Sequence, residues 1–441
     1  MKVGGYNKDH RLDFNINKGD NSVKFPCDRN INVSALLSFS AYLNSVWVKQ
    51  SGEAYAIGCN QNGQISSTLP KDISSDTKII LYDKDGQKCK FTSAVCGNYY
   101  TLYQVAGKTS SDPSKLVYSY IDKKEIFLNL GKRSPLSLFG GSLTSAAIDT
   151  EGSIILVTKD VFNSPTSEIK PLFLPDSEKA VKIACGDTSI IALSQSGRVF
   201  EYLLNVENGS FAEIPELSDK KINEISGTHD HFLAVTENGK VFGRGNNEYQ
   251  KIGMPFDIKF ISKFTCIDSL QKYHVVEAFA GAANSLFKTK YGEIIACGSN
   301  FYQQIEMGNS DDIYPPKKMQ LSGDGKFCIS GDFISIVLVD VEPPPNTPNM
   351  KITYFKPNAS PSPQPNASPS PQPNASPSPQ PNASPSPQPN ASPSPQPNAS
   401  PSPQPNASPS SHRKKKIFKP KVSPIISPKD HIKVEKKMDF I

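Results

Sequence analysis

Ile225-Ser226-Gly227-Thr228-His229-Asp230-His231-Phe232-Leu233-Ala234-Val235-Thr236-Glu237-Asn238-Gly239-Lys240-Val241-Phe242-Gly243-Arg244-Gly245-Asn246-Asn247 decides how the rest of this chain is read. An apolar run climbs through Phe232-Leu233-Ala234-Val235. Asn238-Gly239 supplies the positive φ of a tight hairpin turn, and Val241-Phe242 begins the return strand. The spacing is that of strand, turn and strand, with no helical apolar periodicity.

The unit recurs in both directions. Ala184-Cys185-Gly186 leads through Ile190-Ile191-Ala192-Leu193 to a turn at Gly197, and Phe279-Ala280-Gly281 leads to a turn at Gly292. Phe139-Gly140-Gly141 precedes a turn at Gly152, and Val95-Cys96-Gly97 opens a copy whose turn is extended from Lys108 to Ser114. Ala41 stands in the glycine's place ahead of Gly52, and Ile329-Ser330-Gly331 opens the last copy. Seven anchors at residues 41, 97, 141, 186, 227, 281 and 331, spaced 41 to 56 residues apart, predict an all-β propeller of seven four-stranded blades. The last unit stops at Pro343-Pro344-Pro345 without its return strand, and Lys2-Val3-Gly4-Gly5-Tyr6-Asn7 has the look of that strand. Residues 1–342 are therefore expected to be a propeller closed by its own N-terminal strand, which removes two exposed edges.

The repeats resemble those of the regulator of chromosome condensation family, whose unit runs roughly C-G-x-x-H-T-x-A-L, a turn glycine, then V-Y-x-W-G-x-N-x-x-G-Q-L-G. Gly58-Cys59-Asn60-Gln61-Asn62-Gly63-Gln64-Ile65 matches the second half, Ala184-Cys185-Gly186 and Val95-Cys96-Gly97 match the start, and Gly245-Asn246-Asn247 and Gly298-Ser299-Asn300 match G-x-N. The family histidine is met only by His231, with Asn44, Tyr100, Thr144, Ser189, Asn284 and Ile334 in the other copies. Ile57, Tyr202, Arg244, Cys297 and Gly4 occupy the family tryptophan's place, and the one Trp, Trp47, belongs to another strand. The resemblance implies a seven-bladed propeller. From the founding members it also implies nucleotide exchange on a Ran-like small GTPase and association with chromatin.

Beyond the propeller the composition changes. Residues 343–411 form the next segment, and from Pro357 it is almost purely Pro, Ser, Asn, Ala and Gln in an octapeptide, Pro357-Asn358-Ala359-Ser360-Pro361-Ser362-Pro363-Gln364, that repeats up to Ser411. Lacking branched and aromatic side chains, such a chain cannot bury apolar surface and is expected to be disordered, either as a spacer or as an array of Ser-Pro kinase sites. From His412 to Ile441 ten basic residues face three acids, so this stretch carries +7 of a net +6 and the rest of the chain carries −1. Its core, Arg413, Lys414, Lys415, Lys416, Lys419 and Lys421, reads as an import signal or anion anchor, or as a solubilising charge run.

Chemistry-bearing motifs are sparse. There is no Walker A loop, H-E-x-x-H or G-x-S-x-G, so no enzyme, cofactor or metal is expected. The eight cysteines form no C-x-x-C pair and read as free thiols. His229 and His231 would share one side of a strand, as a metal pair or as residues bonded to nearby backbone. No apolar leader or long apolar run is present, which predicts an intracellular chain, cytoplasmic or nuclear; the expected state is a monomer. Function is expected on irregular loops: Ser67–Lys90 with Lys71 and Asp72, Lys108–Lys115, and Met254–Lys272. The last carries Phe256, Lys259, Phe260, Lys263 and Phe264, which are either interface anchors or the packing of an outer strand. The expected role is a non-enzymatic protein-interaction scaffold, with GTPase exchange or tail-borne chromatin and nucleic-acid association as alternatives.

Overall fold

The computed structural model describes residues 2–6, 22–28, 36–41, 44–109, 111–121, 124–206, 209–301, 303–305, 310–320, 325–330 and 334–339. Residues 1–362 form one unit and 363–441 another. The octapeptide repeats and the basic stretch 412–441, with Arg413, Lys414, Lys415, Lys416, Lys419 and Lys421, lie outside the described residues.

Strands β1 (Lys2–Tyr6) and β2 (Ser22–Asp28) are followed by blade 1: β3 (Leu36–Ala41), β4 (Asn44–Lys49), β5 (Ala54–Cys59) and β6 (Asp72–Ile79). Blade 2 is β7 (Phe91–Cys96), β8 (Tyr100–Val105), β9 (Lys115–Tyr120) and β10 (Ile126–Phe127). Blade 3 is β11 (Pro135–Gly140), β12 (Ser145–Asp149) and β13 (Ile154–Val157). Blade 4 is β14 (Ala180–Cys185), β15 (Ser189–Ser194), β16 (Val199–Leu203) and β17 (Ala212–Glu213). Blade 5 is β18 (Ile222–Thr228), β19 (His231–Thr236), β20 (Val241–Asn246) and β21 (Phe260–Cys266). Blade 6 is β22 (Val275–Ala280), β23 (Asn284–Thr289), β24 (Ile294–Gly298) and β25 (Ile313–Lys318), and β26 (Gly325–Ser330) and β27 (Ile334–Val339) begin blade 7.

Seven antiparallel sheets result, and each inner strand packs on the next blade, with β26 returning to β3. The ring closes as expected, but with two borrowed strands. β1 pairs with β27, from Lys2 opposite Val337 to Gly5 opposite Ile334, and β2 adds the fourth strand. A single return strand would have left blade 7 one strand short. Blade 3 departs from four regular strands, because its outer position is taken by a loop that meets β13 in one bridge, Ile154 to Leu172. The stretch Ser67–Lys90 is not one long loop: it contains β6, beginning at Asp72, with Lys71 exposed just ahead of it.

The repeated glycines hold blade to blade. The turn glycines adopt positive φ, +82° at Gly239 for example, and their carbonyls accept from the first residue of the next inner strand. Phe91 donates to Gly52, Ala180 to Gly152 and Ile222 to Gly197, each at 2.9 to 3.0 Å. Anchor glycines sit against the neighbouring blade: a Cβ on Gly97 would stand 2.6 Å from the Gly141 carbonyl oxygen, and one on Gly141 2.0 Å from the Cys185 carbonyl oxygen. The apolar core is likewise interleaved, with Leu233 and Val241 of blade 5 packed with Val275 and Phe287 of blade 6.

Candidate functional site

Antiparallel order puts the connections between first and second strands, and between third and fourth strands, on one face of the ring, here the front face. The G-x-N motif ends the third strands of blades 1, 5 and 6 there. Gly298 has φ +107°, and a Cβ would approach the Ala283 carbonyl oxygen to 2.6 Å. The asparagine that follows is buried and organises the next loop. Asn60 Nδ2 donates to the carbonyls of Ser66, Leu69 and Pro70, while Asn60 Oδ1 accepts from Ile65 N at 2.9 Å. Asn247 repeats this in blade 5, donating to Met254, Pro255 and Ile258 carbonyls at 3.2, 3.2 and 2.7 Å and accepting from Ile252 N.

The loop held by Asn247 is the aromatic and basic one. Its phenylalanines divide. Phe264, 5% exposed, lies in the core between blades 4 and 5, whereas Phe256 and Phe260 are 70% and 67% exposed. The packing of an outer strand is thus the role of Phe264, and Phe256 and Phe260 are not part of it. β21 is an outer strand that buries Phe264, and the segment leading into it projects two aromatics, with Ile258 also exposed between them. The Lys259 ammonium lies 5.8 Å from the Phe256 ring, and Lys263 is exposed, 3.8 Å from Glu216. Lys71 and Asp72 belong to blade 1, on another sheet, and are not brought to this loop.

Arg244, in the family tryptophan's place, links blade 5 to blade 4. Its guanidinium lies 5.4 Å from the Phe232 ring and 5.0 Å from the Phe264 ring. It donates to both oxygens of Glu201 at 2.9 and 2.6 Å. Burial alone would raise the Glu201 carboxyl, but Arg244, aided by Ser189, holds it below the usual carboxylate range. Sequence reading registered Arg244 only as a missing tryptophan.

Nearer the axis, His229 and His231 do not share a strand face. His229 lies in the turn between β18 and β19 at φ +59°, so the chain reverses between the two. His229 pairs with Asp187 of blade 4, a bond that raises its pKa against the opposing effect of burial. His231 is fully buried, its Nε2 3.0 Å from Ser285 Oγ of blade 6, and burial pushes its pKa down to about 4. Lys251, 2% exposed, donates to Asp230 Oδ1 at 2.6 Å and to the Ala282 carbonyl at 3.0 Å. In blade 2, Tyr100 stands where the family histidine would and donates to the Gly141 and Thr144 carbonyls at 2.9 and 2.8 Å, so the link between blades outlasts the change of residue. Asp187 Oδ1 and His231 Nδ1 of this central cluster are buried and make no hydrogen bond, and among the described residues no cluster of three or more His, Cys, Asp or Glu could hold a metal ion. Burial pushes the Cys185 thiol up to about 12, which keeps it protonated. No helix among the described residues is long and apolar enough to cross a membrane.

No protein-family model matches the chain. Among curated proteins it is similar to the E3 ubiquitin-protein ligase HERC2 of Homo sapiens, 24% identical over 71% of this chain and 7% of HERC2. It is also similar to the ultraviolet-B receptor UVR8 of Arabidopsis thaliana, 29% identical over 34% of this chain and 36% of UVR8. Protein RCC1 of Candida albicans is 27% identical over 34% of this chain and 40% of its own length. The aligned part is thus well under half of each relative. Among solved structures, human WBSCR16 superposes with a TM-score of 0.61 at 12% identity, covering 77% of this chain and 99% of that one. Prp20p of Saccharomyces cerevisiae, described together with its binding to Gsp1p and histones, does so with 0.61 at 14% identity, covering 76% and 90%.

Proposed function

We propose that this chain, a divergent RCC1-like propeller, is a non-enzymatic scaffold that takes protein partners on the front face of blade 5. One observation carries the reading: Asn247 holds a loop that sets Phe256 and Phe260 in solvent while Phe264 of the same segment is core. Rigid, exposed aromatics flanked by lysines have the composition of interface hot spots. The central cluster joins blades 4, 5 and 6 through His229 to Asp187, His231 to Ser285, and Lys251 to Asp230 and the Ala282 carbonyl. The test is quantitative cross-linking of the full chain to partners in cells, with wild type against a Phe256→Ser, Phe260→Ser double variant. At least a tenfold loss of specific cross-links is expected from truncating two hot-spot side chains. Unchanged cross-links would move the binding surface elsewhere.

A second reading is nucleotide exchange on a Ran-like small GTPase, supported by the likeness to Prp20p. A nucleotide-release assay separates the two, because acceleration by the full chain would replace the scaffold with an exchange factor. The composition of the basic stretch around Arg413 to Lys421 supports a nucleic-acid or chromatin contact as a further part of this reading. That contact requires an affinity that falls steeply with salt.

A further inference from the structure

At the front face, β13 of blade 3 hands the chain to a loop that stands in place of a fourth strand. Asn129, two residues past β10, fastens the base of this loop. Its Nδ2 donates to the Thr166 carbonyl at 2.9 Å, and its own carbonyl accepts from Ile169 N at 2.9 Å. The tip, Asn163-Ser164-Pro165-Thr166-Ser167-Glu168, is exposed at every residue. Ser167 N donates to the Ser164 carbonyl at 3.0 Å, which closes a turn with Pro165 at its second position. The Ser164 hydroxyl makes no hydrogen bond among the described residues. One other described serine or threonine precedes a proline, and its setting is the opposite. Ser134 is half-buried, its Oγ accepts from Ser114 N at 3.2 Å and its carbonyl from Thr150 N at 3.1 Å, and Pro135 is buried at the start of β11.

We propose that Ser164 is a phosphorylation site for a proline-directed serine/threonine kinase. Such an enzyme needs a free hydroxyl, a following residue that lacks a backbone N–H, and a segment that can be drawn out of its resting shape. Ser164 offers the hydroxyl and Pro165 the missing N–H, and a single backbone hydrogen bond closes the turn that must open. Ser134 carries the same dipeptide, but β11 holds it in the sheet. In the step, Ser164 Oγ bonds to the γ-phosphorus of ATP as the bond from that phosphorus to the β,γ-bridging oxygen breaks. ADP leaves, and the hydroxyl proton passes to the catalytic carboxylate of the kinase. The product carries roughly two negative charges at neutral pH on the front rim of blade 3, two blades from Phe256 and Phe260. The base of the loop is untouched, because Asn129 and Ser167 N engage backbone carbonyls and not the hydroxyl. The ring keeps its fold and gains a group that a guanidinium of a partner can bind. The site is independent of the aromatic loop of blade 5.

The test incubates the folded full chain with ATP and a purified proline-directed kinase of the mitogen-activated class, with a standard Ser-Pro substrate as the check that the kinase is active. Phosphopeptides are then mapped by mass spectrometry. Trypsin releases residues 160–179 as one peptide, because Lys170 precedes Pro171, so label there is read apart from label on the octapeptide serines. Ser164 is expected to be phosphorylated at least tenfold faster than Ser134 in the folded chain, since an exposed loop opens locally far more readily than a strand. Synthetic peptides spanning the two serines should react at similar rates, which assigns the difference to the fold. Pro165→Ala should slow labelling of Ser164 severalfold. Pro165 is exposed, so this variant should melt with wild type, and circular dichroism checks it. A Ser164 left bare in the folded chain overturns the site. Equal rates at Ser164 and Ser134 in the folded chain, or labelling unchanged in Pro165→Ala, overturn it too.

Discussion

Asn247 is the residue on which fold and candidate site meet. It reads from sequence as one letter of a repeat, yet its amide answers four backbone groups of the loop that carries Phe256. Asn247→Ala takes a donor from the carbonyls of Met254, Pro255 and Ile258 and the acceptor from Ile252 N–H. It should cost about 3 kcal/mol in chemical denaturation and weaken partner binding more than its distance from Phe260 would suggest. His231 gives a pH prediction. Its folded pKa of about 4 lies below the unfolded value, so between pH 6.5 and 4 the unfolded chain binds the extra proton and stability falls as pH falls. His229 has the opposite sign, because its raised pKa contributes stability below the unfolded value that is lost as pH rises through the folded one. His231→Gln should therefore remove part of the acid sensitivity, on the order of 2 kcal/mol between pH 7 and 5. Melting wild type and variant at both pH values checks this, and an equal loss in both would contradict it.

At the scale of one element, β21 shows how far the sequence was legible. Three phenylalanines among lysines left two readings open, because nothing in local pattern distinguishes an outer strand from an anchor-bearing loop. A bulge opposite Arg244 sets which side chains of β21 point inward, and Phe264 is the packed one. The consequence is a contrast in stability. Phe264→Ala should cost about 3 kcal/mol by opening a cavity in the core between blades 4 and 5, while Phe260→Ala should stay within about 0.5 kcal/mol. Urea denaturation measures both. A similar cost for the two would mean that Phe260 is packed. Blade 3 marks the reverse case, where a regular repeat at Gly141 and Gly152 suggested four strands and the outer one is replaced by a loop.

For the whole molecule, closure is the property most open to test. β1 and β2 supply half of blade 7, so deletion of residues 1–12 removes β1 and separates β2 from β27. A drop of at least 10 °C in melting temperature is expected, since two exposed edges replace a closed ring. An unchanged midpoint would contradict closure. β27 runs away from the front face and ends at Val339, on the opposite face. The +7 carried by residues 412–441 is a separate matter of composition, and a fluorescent fusion of residues 405–441 tests it, uniform distribution being the result that excludes import.

By itself the sequence determined the number of blades, their turns and the strand lent by the N-terminus. These depend on local needs: positive φ at Gly239 and its counterparts, and alternation that suits only strands. Only the tertiary structure decided which side chains face outward. The second borrowed strand and the division of Phe256 and Phe260 from Phe264 depend on register and on the neighbouring blade. Neither is encoded within a single repeat, because each blade buries its surface against residues some fifty positions away in the chain.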